Sequence, residues 1–155
     1  MKISVLGAGG WGTTLGILLH YNGHQVTLWE YKKNYVKELI KKRVNSLYLP
    51  GVNIPQEILI THDLKESVRQ KNLIVLAVPS QFLRSVIEDV SYSDIKNSIL
   101  VSVAKGIENK HLMTMSQMLK DVHPNLSEEQ IGVLSGPSHA EEVSKRIPTA
   151  VVAAS

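Results

Sequence analysis

The segment Gly7-Ala8-Gly9-Gly10-Trp11-Gly12 is the part of the sequence whose spacing points most directly to chemistry. It follows the pattern G-x-G-x-x-G, in which glycines allow a tight turn, close approach of a pyrophosphate to the backbone, and close packing of a helix on a strand. A strand is predicted before it and a helix after it, so the free amides at the positive end of the helix dipole would face the ligand. We therefore predict dinucleotide binding at Gly7, Gly9 and Gly12. The alternative is that the glycines only permit a tight turn.

Glu30 bears on which dinucleotide is bound. It closes the second predicted strand about 20 residues beyond the glycine turn, where a carboxylate accepts hydrogen bonds from the adenosine ribose. A carboxylate there favours NAD and repels the 2′-phosphate of NADP. Lys32 and Lys33 follow at once and are able to pair with that phosphate. The two signals oppose each other, so the sequence favours NAD only slightly and leaves NADP open.

Lys105 is the single residue that most strongly indicates a binding site. It follows the apolar run Ile99–Ala104, where burial makes an ammonium group costly unless an anion or a carbonyl oxygen meets it. Gly106 beside it allows a ligand to approach the backbone. The alternative is a lysine whose stem packs on the protein while its head reaches water.

The segment Ser135–Ala140 repeats the pattern of a strand, a glycine turn and a helix start. We expect Ser138 to cap that helix, and its free amides to suit a phosphate or a sugar hydroxyl. His139 lies in this segment, but the six histidines as a set lack the spacing of metal ligands. We therefore predict no metal site.

The composition excludes several classes of protein. A chain with 43% hydrophobic and 20% charged residues is not typical of disorder. The net charge of +3 and the single short basic run, Lys41–Arg43, do not indicate nucleic-acid binding. The absence of cysteine excludes disulfides and thiolate chemistry. No apolar run reaches the roughly 18 residues of a membrane span, so we expect a soluble, cytoplasmic protein.

Short β-branched apolar runs alternate with longer amphipathic stretches, which predicts alternating strands and helices. The predicted strands are Ile3–Leu6, Val26–Trp29, Ile58–Thr61, Leu73–Val78, Ile99–Ala104, Ile131–Leu134 and Ala150–Ala153. The predicted helices are Trp11–Asn22, Asn34–Arg43, Asp63–Gln70, Gln81–Val90 and His111–Val122, with a Pro/Gly loop at Leu49–Pro55. This order predicts an α/β fold with a Rossmann-type, doubly wound, mostly parallel sheet and helices on both faces. No linker divides the chain, so we expect one domain over residues 1–155.

Six segments, in order along nearly the whole chain, resemble the N-terminal, cofactor-binding domain of NAD(P)-dependent glycerol-3-phosphate dehydrogenases. The segments are Gly7–Thr13, Gly23–Val26, Asn45–Gly51, Ala77–Phe82, Lys105–Glu108 and Leu134–Ala140. One such segment would be weak evidence, but six in order are specific. The resemblance implies NAD or NADP as cofactor. It also implies reversible hydride transfer between NAD(P)H and dihydroxyacetone phosphate, giving sn-glycerol 3-phosphate for bacterial phospholipid synthesis.

The resemblance also implies roles for individual residues. The turn at Gly10 and Trp11 would hold the pyrophosphate, and the cofactor site would be lined by Tyr31, Phe82 and Ala140. Lys105 would contact both cofactor and substrate and stabilise the negative charge that hydride transfer builds on the carbonyl oxygen. The substrate would also be bound by Gly136 and Ser138.

Members of this family carry a second, helical domain that supplies a general acid/base lysine and most phosphate-binding groups. The present sequence stops directly after the predicted strand Ala150–Ala153. We therefore expect an N-terminal piece of a longer enzyme that binds cofactor and turns over little by itself. Apolar surface left exposed near that strand would favour self-association, with a homodimer as the simplest form.

Two alternatives stay open. A related ketopantoate or β-hydroxyacid reductase would share the glycine turn, but the resemblance to those enzymes does not extend to Lys105-Gly106 or to Gly136-Pro137-Ser138. A non-catalytic module that senses NAD(P) would share the cofactor site, but it would need another purpose for Lys105.

Overall fold

The computed structural model describes residues 1–155 and is built on a seven-stranded sheet. The strands are β1 (Lys2–Leu6), β2 (Gln25–Trp29), β3 (Val44–Asn45), β4 (Leu49–Asn53), β5 (Leu59–Thr61), β6 (Leu73–Leu76), β7 (Ile99–Ser102), β8 (Ile131–Ser135) and β9 (Val152–Ala154). Strands β3 and β4 form a separate antiparallel pair, and the sheet has the order β5-β2-β1-β6-β7-β8-β9. All its pairings are parallel except β8 with β9. The predicted mostly parallel, doubly wound architecture is confirmed.

Seven helices connect the strands. They are α1 (Gly10–Tyr21), α2 (Lys33–Lys42), α3 (Leu64–Val68), α4 (Ser80–Glu88), α5 (Tyr92–Ile95), α6 (Met115–Val122) and α7 (Ala140–Ser144), and a 3-10 turn spans Glu128–Gln130. The longest of them, α1, has 12 residues. None of the helices combines the length and the apolar character needed to cross a bilayer.

The core is divided by the sheet into two apolar layers. Side chains alternate along β1, so Ile3 and Val5 join the layer beneath α1 and α2, whereas Leu6 joins the layer beneath α3 to α6. Both layers are buried, which explains why the strands are almost continuously apolar. The two layers hold the carboxyl ends of the parallel strands at one edge of the sheet.

The winding direction changes between β1 and β6. From β1 the chain builds outward through β2 and β5, and from β6 it builds the other way through β7 and β8. In open α/β sheets the connections at such a switch point diverge to opposite faces and leave a crevice outside the carboxyl ends. Here that crevice lies between the turns that follow β1 and β6.

Two sequence predictions about element boundaries are wrong. Leu49–Pro55, predicted as a loop, contains β4, which tolerates Pro50 because it belongs to a two-stranded ribbon with β3. The helix predicted at His111–Val122 begins only at Met115. The Thr114 side chain accepts from the Gln117 amide while the Gln117 side chain accepts from the Thr114 amide, and this capping box sets the start of the helix.

The last predicted strand also differs from expectation. Ala150–Ala153 was predicted as a buried strand, but the strand runs over Val152–Ala154 and all three residues are exposed. It pairs antiparallel with β8 at the edge of the sheet, and α7 packs on α1 rather than on β9. The apolar residues of β9 therefore pair with β8 at the edge of the sheet and are not buried in the core.

Candidate functional site

A cleft of about 760 Å³ opens at the carboxyl ends of β1, β2 and β6. Its walls bring together five of the predicted site residues, Gly7, Gly9, Glu30, Tyr31 and Phe82. The cleft therefore coincides with the crevice at the switch point of the sheet. A smaller, polar cavity of about 540 Å³ lies at the amino ends of the strands, around Lys2 and Lys71, away from all the predicted site residues.

The glycine turn adopts the geometry that its spacing predicts. Gly7 has a φ of +107° and lies against the carbonyl of Ala77, and a Cβ at Gly12 would collide with the carbonyl oxygen of Gly7. These two positions pack the start of α1 onto the strand that precedes it. At Gly9, by contrast, a Cβ would meet no protein atom within 4 Å. The backbone at Gly9 is thus the part of the turn that another molecule can approach closely.

The N-terminus of α1 presents free amides at this turn. The first helical hydrogen bond of the segment runs from the Thr13 amide to the Gly9 carbonyl, so the amides of residues 10–12 have no acceptor within the helix. Gly9 provides no side-chain cap, and the first turn carries no acidic residue. Trp11 lies in this first helical turn. The helix end therefore attracts an anion through its dipole and its unpaired donors.

Glu30 is buried at the end of β2 and faces the cleft. Its Oε1 accepts a hydrogen bond of 3.1 Å from the amide of Lys32, which begins the turn into α2. The Lys32 ammonium lies 5.2 Å from the centre of the Tyr31 ring, and its interaction with Tyr31 raises the pKa of Lys32. The Glu30 carboxylate therefore lines the cleft, and the Lys32 ammonium lies next to Tyr31, which also belongs to the cleft wall.

Two aromatic side chains flank the cleft with their rings largely in solvent. Tyr31 is 66% exposed and Phe82 is 65% exposed, far more than a packing role requires. Tyr48 contributes a third partly exposed ring, although the sequence analysis does not single it out as a site residue. Exposed aromatic faces around a mainly apolar cleft suit the stacking of planar rings.

The position of Lys105 differs from the one that the sequence predicts, which is the buried end of a strand. Strand β7 ends at Ser102, so Lys105 lies in the following loop and is exposed. Its Nζ donates a 3.3 Å hydrogen bond to the carbonyl oxygen of Ser138. The head of Lys105 therefore reaches across to the segment after β8.

The segment after β8 also departs from one prediction. Ser138 does not cap α7, because His139 occupies the cap position and the Ser138 hydroxyl donates back to the carbonyl of Gly136. Gly136 packs against Ala150 and the following residue. Ala140 begins α7, and its carbonyl accepts a hydrogen bond from the Thr14 hydroxyl on α1. Thus Lys105, Gly136 and Ser138 form a second group, joined to the glycine turn through Ala140.

A charged pair missed by the sequence analysis anchors the Lys105 loop. Arg84 on α4 donates to both carboxylate oxygens of Glu108, at 2.6 and 3.0 Å, and to Asp121 on α6 at 2.7 Å. Gln81, one turn earlier on α4, donates to the carbonyl of Ile107. The helix that carries Phe82 therefore also holds the loop that carries Lys105. Arg84 and Glu108 lie on segments that are far apart in the sequence, so their contact is visible only in the folded structure.

The Arg84–Glu108 pair makes the free energy of unfolding depend on pH in the acid range. Hydrogen bonds from Arg84 lower the pKa of Glu108 to about 2, from 4.5. Since this pKa is lower in the folded chain, the stabilisation is complete above about pH 4.5 and is lost as the pH falls towards 2. In urea unfolding, we expect the difference in midpoint between the wild type and Glu108→Gln to shrink steadily over this range. Glu38→Gln, which breaks only an exposed pair with Lys42, is the control. A difference independent of pH would contradict the assignment.

Comparison with known proteins identifies the relatives of this chain. Residues 2–155 match the family model described as NAD-dependent glycerol-3-phosphate dehydrogenase N-terminus. A glycerol-3-phosphate dehydrogenase [NAD(P)+] of Thermoanaerobacter sp. (strain X514) is 51% identical over the whole chain and is covered over 46% of its own length. The chain thus spans about half the length of the curated relatives it matches.

Solved structures agree with this result. The crystal structure of glycerol-3-phosphate dehydrogenase from Coxiella burnetii matches 98% of the chain and 46% of its own chain, with a TM-score of 0.90 and 32% identity. A putative 2-dehydropantoate 2-reductase from Enterococcus faecalis matches 86% of the chain and 40% of its own, with a TM-score of 0.65 and 22% identity, a likeness of fold alone. The dehydrogenase interpretation is therefore favoured over the related reductases. The chain belongs to the family of the N-terminal domain of NAD-dependent glycerol-3-phosphate dehydrogenases.

Proposed function

We propose that residues 1–155 form the cofactor domain of a glycerol-3-phosphate dehydrogenase. The enzyme would transfer a hydride reversibly between NAD(P)H and dihydroxyacetone phosphate and so produce sn-glycerol 3-phosphate. The observation that carries the proposal is the glycine turn at the switch point of the sheet. There the backbone of Gly9 is open to close approach and the amides of α1 are unpaired.

These features fit a dinucleotide in a definite orientation. Its pyrophosphate would lie on the amides at Gly10, Trp11 and Gly12, where the helix dipole compensates its charge. Glu30 uses Oε1 for the Lys32 amide, which leaves Oε2 to accept from a ribose hydroxyl. The planar rings would contact Tyr31 and Phe82, which are exposed beside the turn.

Lys105 is the catalytic residue of the proposal. When bound, the nicotinamide supplies or accepts the hydride. Reduction of a carbonyl builds negative charge on its oxygen, and the Lys105 ammonium is a preformed positive charge that can turn from the Ser138 carbonyl to meet it. Gly136 and Ser138 would hold the substrate beside it, and Ala140 would line the cofactor site where α7 meets α1.

The proposal extends beyond the chain described here. A second, helical domain would supply the acid/base lysine and most of the groups that bind the substrate phosphate. We also propose a cytoplasmic location and a homodimer. Exposed apolar side chains at Ile147, Val151 and Val152 would favour self-association of the 155-residue chain, because an interface would remove them from water.

Titration of the chain with NADH and NADPH tests the proposal. Trp29 lines the cleft and Trp11 lies in the first turn of α1, so a bound dinucleotide should change their emission. We expect saturable binding of both, with NADH several-fold tighter because the Glu30 carboxylate disfavours a 2′-phosphate. AMP, which lacks the pyrophosphate bridge, is the control ligand and should bind much more weakly. An emission change that does not saturate, once the absorption of light by NADH itself is corrected for, would contradict the proposed function.

A further inference from the structure

We propose that Asn45 is the positioning residue of the dinucleotide turn. Asn45 lies on the β3–β4 ribbon, far in sequence from the glycines, and its side chain is fully buried. Asn45 does not itself line the cleft, and it is not among the residues assigned above to the cofactor. The inference rests on the proposed function and deepens it, because it names the residue that holds the turn in its binding geometry.

The side chain of Asn45 connects both sides of the turn. Its Nδ2 donates to the carbonyl of Ala8, between Gly7 and Gly9, at 2.8 Å, and to the hydroxyl of Thr13 on α1 at 2.7 Å. One amide group therefore bridges the turn and the first part of the helix. Movement of either would break a buried hydrogen bond, which is expensive to leave unmade.

The oxygen atom of the Asn45 side chain also has two hydrogen-bond partners. Oδ1 accepts from the Tyr35 hydroxyl on α2 at 2.5 Å and from the backbone amide of Tyr48 at 3.0 Å. A backbone amide can only donate and the Ala8 carbonyl can only accept, so the partners themselves fix which end of the amide is oxygen. All the polar atoms of Asn45 are thus satisfied, in one orientation.

The contact with Tyr48 ties the turn to the wall of the cleft. The carbonyl oxygen of Tyr48 lies 2.6 Å from where a Cβ at Gly10 would be, so the ribbon packs directly on the start of α1. The Tyr48 ring faces the cleft and stands edge-on to the Tyr35 ring, with 6.0 Å between centres. Asn45 consequently fixes the positions of two parts of the site, namely the unpaired amides at the start of α1 and the Tyr48 ring in the cleft wall.

Affinity for NADH, measured on this chain well below its unfolding temperature, tests the inference. We expect Asn45→Ala to weaken NADH binding by at least about 30-fold, since the turn loses the bridge between Ala8 and Thr13. Tyr35→Phe removes a single hydroxyl that only orients the amide, so it should keep the fold and cost about three- to tenfold. Asn53→Ala is the matched control, because Asn53 is an exposed asparagine on the same ribbon.

Two further readouts separate positioning from general stability. The amide chemical shifts of Gly9, Gly10 and Trp11 in the nucleotide-free chain should move in both Asn45→Ala and Tyr35→Phe, and not in Asn53→Ala. Adding Tyr35→Phe to Asn45→Ala should cause no further loss of affinity, because the two act through one contact.

The possible outcomes are distinct. If the wild type binds NADH and Tyr35→Phe and Asn45→Ala bind it within twofold of the wild type, the positioning role is wrong while the proposed function stands. If Asn45→Ala fails to fold, Tyr35→Phe alone decides, through its affinity and its shifts. If the wild type itself does not bind NADH, the proposed function fails and the positioning role fails with it.

Discussion

Replacing Gly12 with alanine is expected to abolish NADH binding and to destabilise the chain by about 3 kcal/mol. The added Cβ would collide with the carbonyl oxygen of Gly7 and come within 3.1 Å of the Ala77 side chain. The first obstacle is backbone, so no side-chain rotation relieves it. The start of α1 must therefore move away from β1 and carry the amides of residues 10–12 with it. Urea unfolding followed by circular dichroism, together with NADH titration, measures both losses.

Gly9→Ala is the matched variant in the same turn. The backbone at Gly9 has a φ of −70°, which alanine adopts without strain, and its Cβ would meet no protein atom within 4 Å. The free energy of unfolding should change by no more than about 0.5 kcal/mol. NADH affinity should nevertheless fall at least tenfold, because the methyl group occupies the space that a pyrophosphate needs. Wild-type affinity in Gly9→Ala would show that the ligand does not approach this face of the turn.

The contrast between these two glycines shows how far the sequence could predict the site. The strand, glycine turn and helix at residues 2–21 form a local pattern, so their order and their chemistry follow from spacing alone. The same is true of Glu30, which lies at the end of the next strand and faces the cleft. The sequence could not show which glycine packs and which lies open, since that depends on Ala77 and the neighbouring strand.

What escaped the sequence analysis depends on contacts between distant segments. Arg84 on α4 meets Glu108, and Asn45 on the separate β3–β4 ribbon meets Ala8, only because the fold brings distant segments together. No local period marks such residues, although Asn45 and Glu108 both fall within segments that carry the family resemblance. The sequence predicts a loop at Leu49–Pro55 because proline and glycine usually occur in loops. Part of this segment instead forms a strand, because it pairs with Val44–Asn45.

The two groups of site residues also differ in how well they could be predicted. In the cleft, Gly7 and Glu30 follow directly after strands, at an edge that any parallel sheet creates. Ser138 lies one residue too early to cap α7, and Lys105 lies three residues beyond the end of β7. Loop conformation decides both positions, and the loop that carries Lys105 is held by contacts of Gln81 and Arg84 with Ile107 and Glu108.

Replacing Lys105 with methionine is expected to separate catalysis from cofactor binding. In the complete enzyme that we propose, kcat for the reduction of dihydroxyacetone phosphate should fall by about 100- to 1000-fold, the usual loss when a group that stabilises an oxyanion is removed. NADH affinity of the 155-residue chain should change by less than about threefold. Methionine keeps an unbranched stem of similar length and removes only the charge and its hydrogen bond to Ser138.

Lys110→Met is the control, because Lys110 is an exposed lysine in the same loop. It should leave both kcat and NADH affinity unchanged, which would exclude a general effect of charge near the cleft. Lys105→Arg should recover only part of the lost rate, since a guanidinium keeps the charge but cannot place it as a compact ammonium does. Equal losses of turnover and NADH affinity in Lys105→Met would contradict a catalytic role and assign the residue to cofactor binding alone.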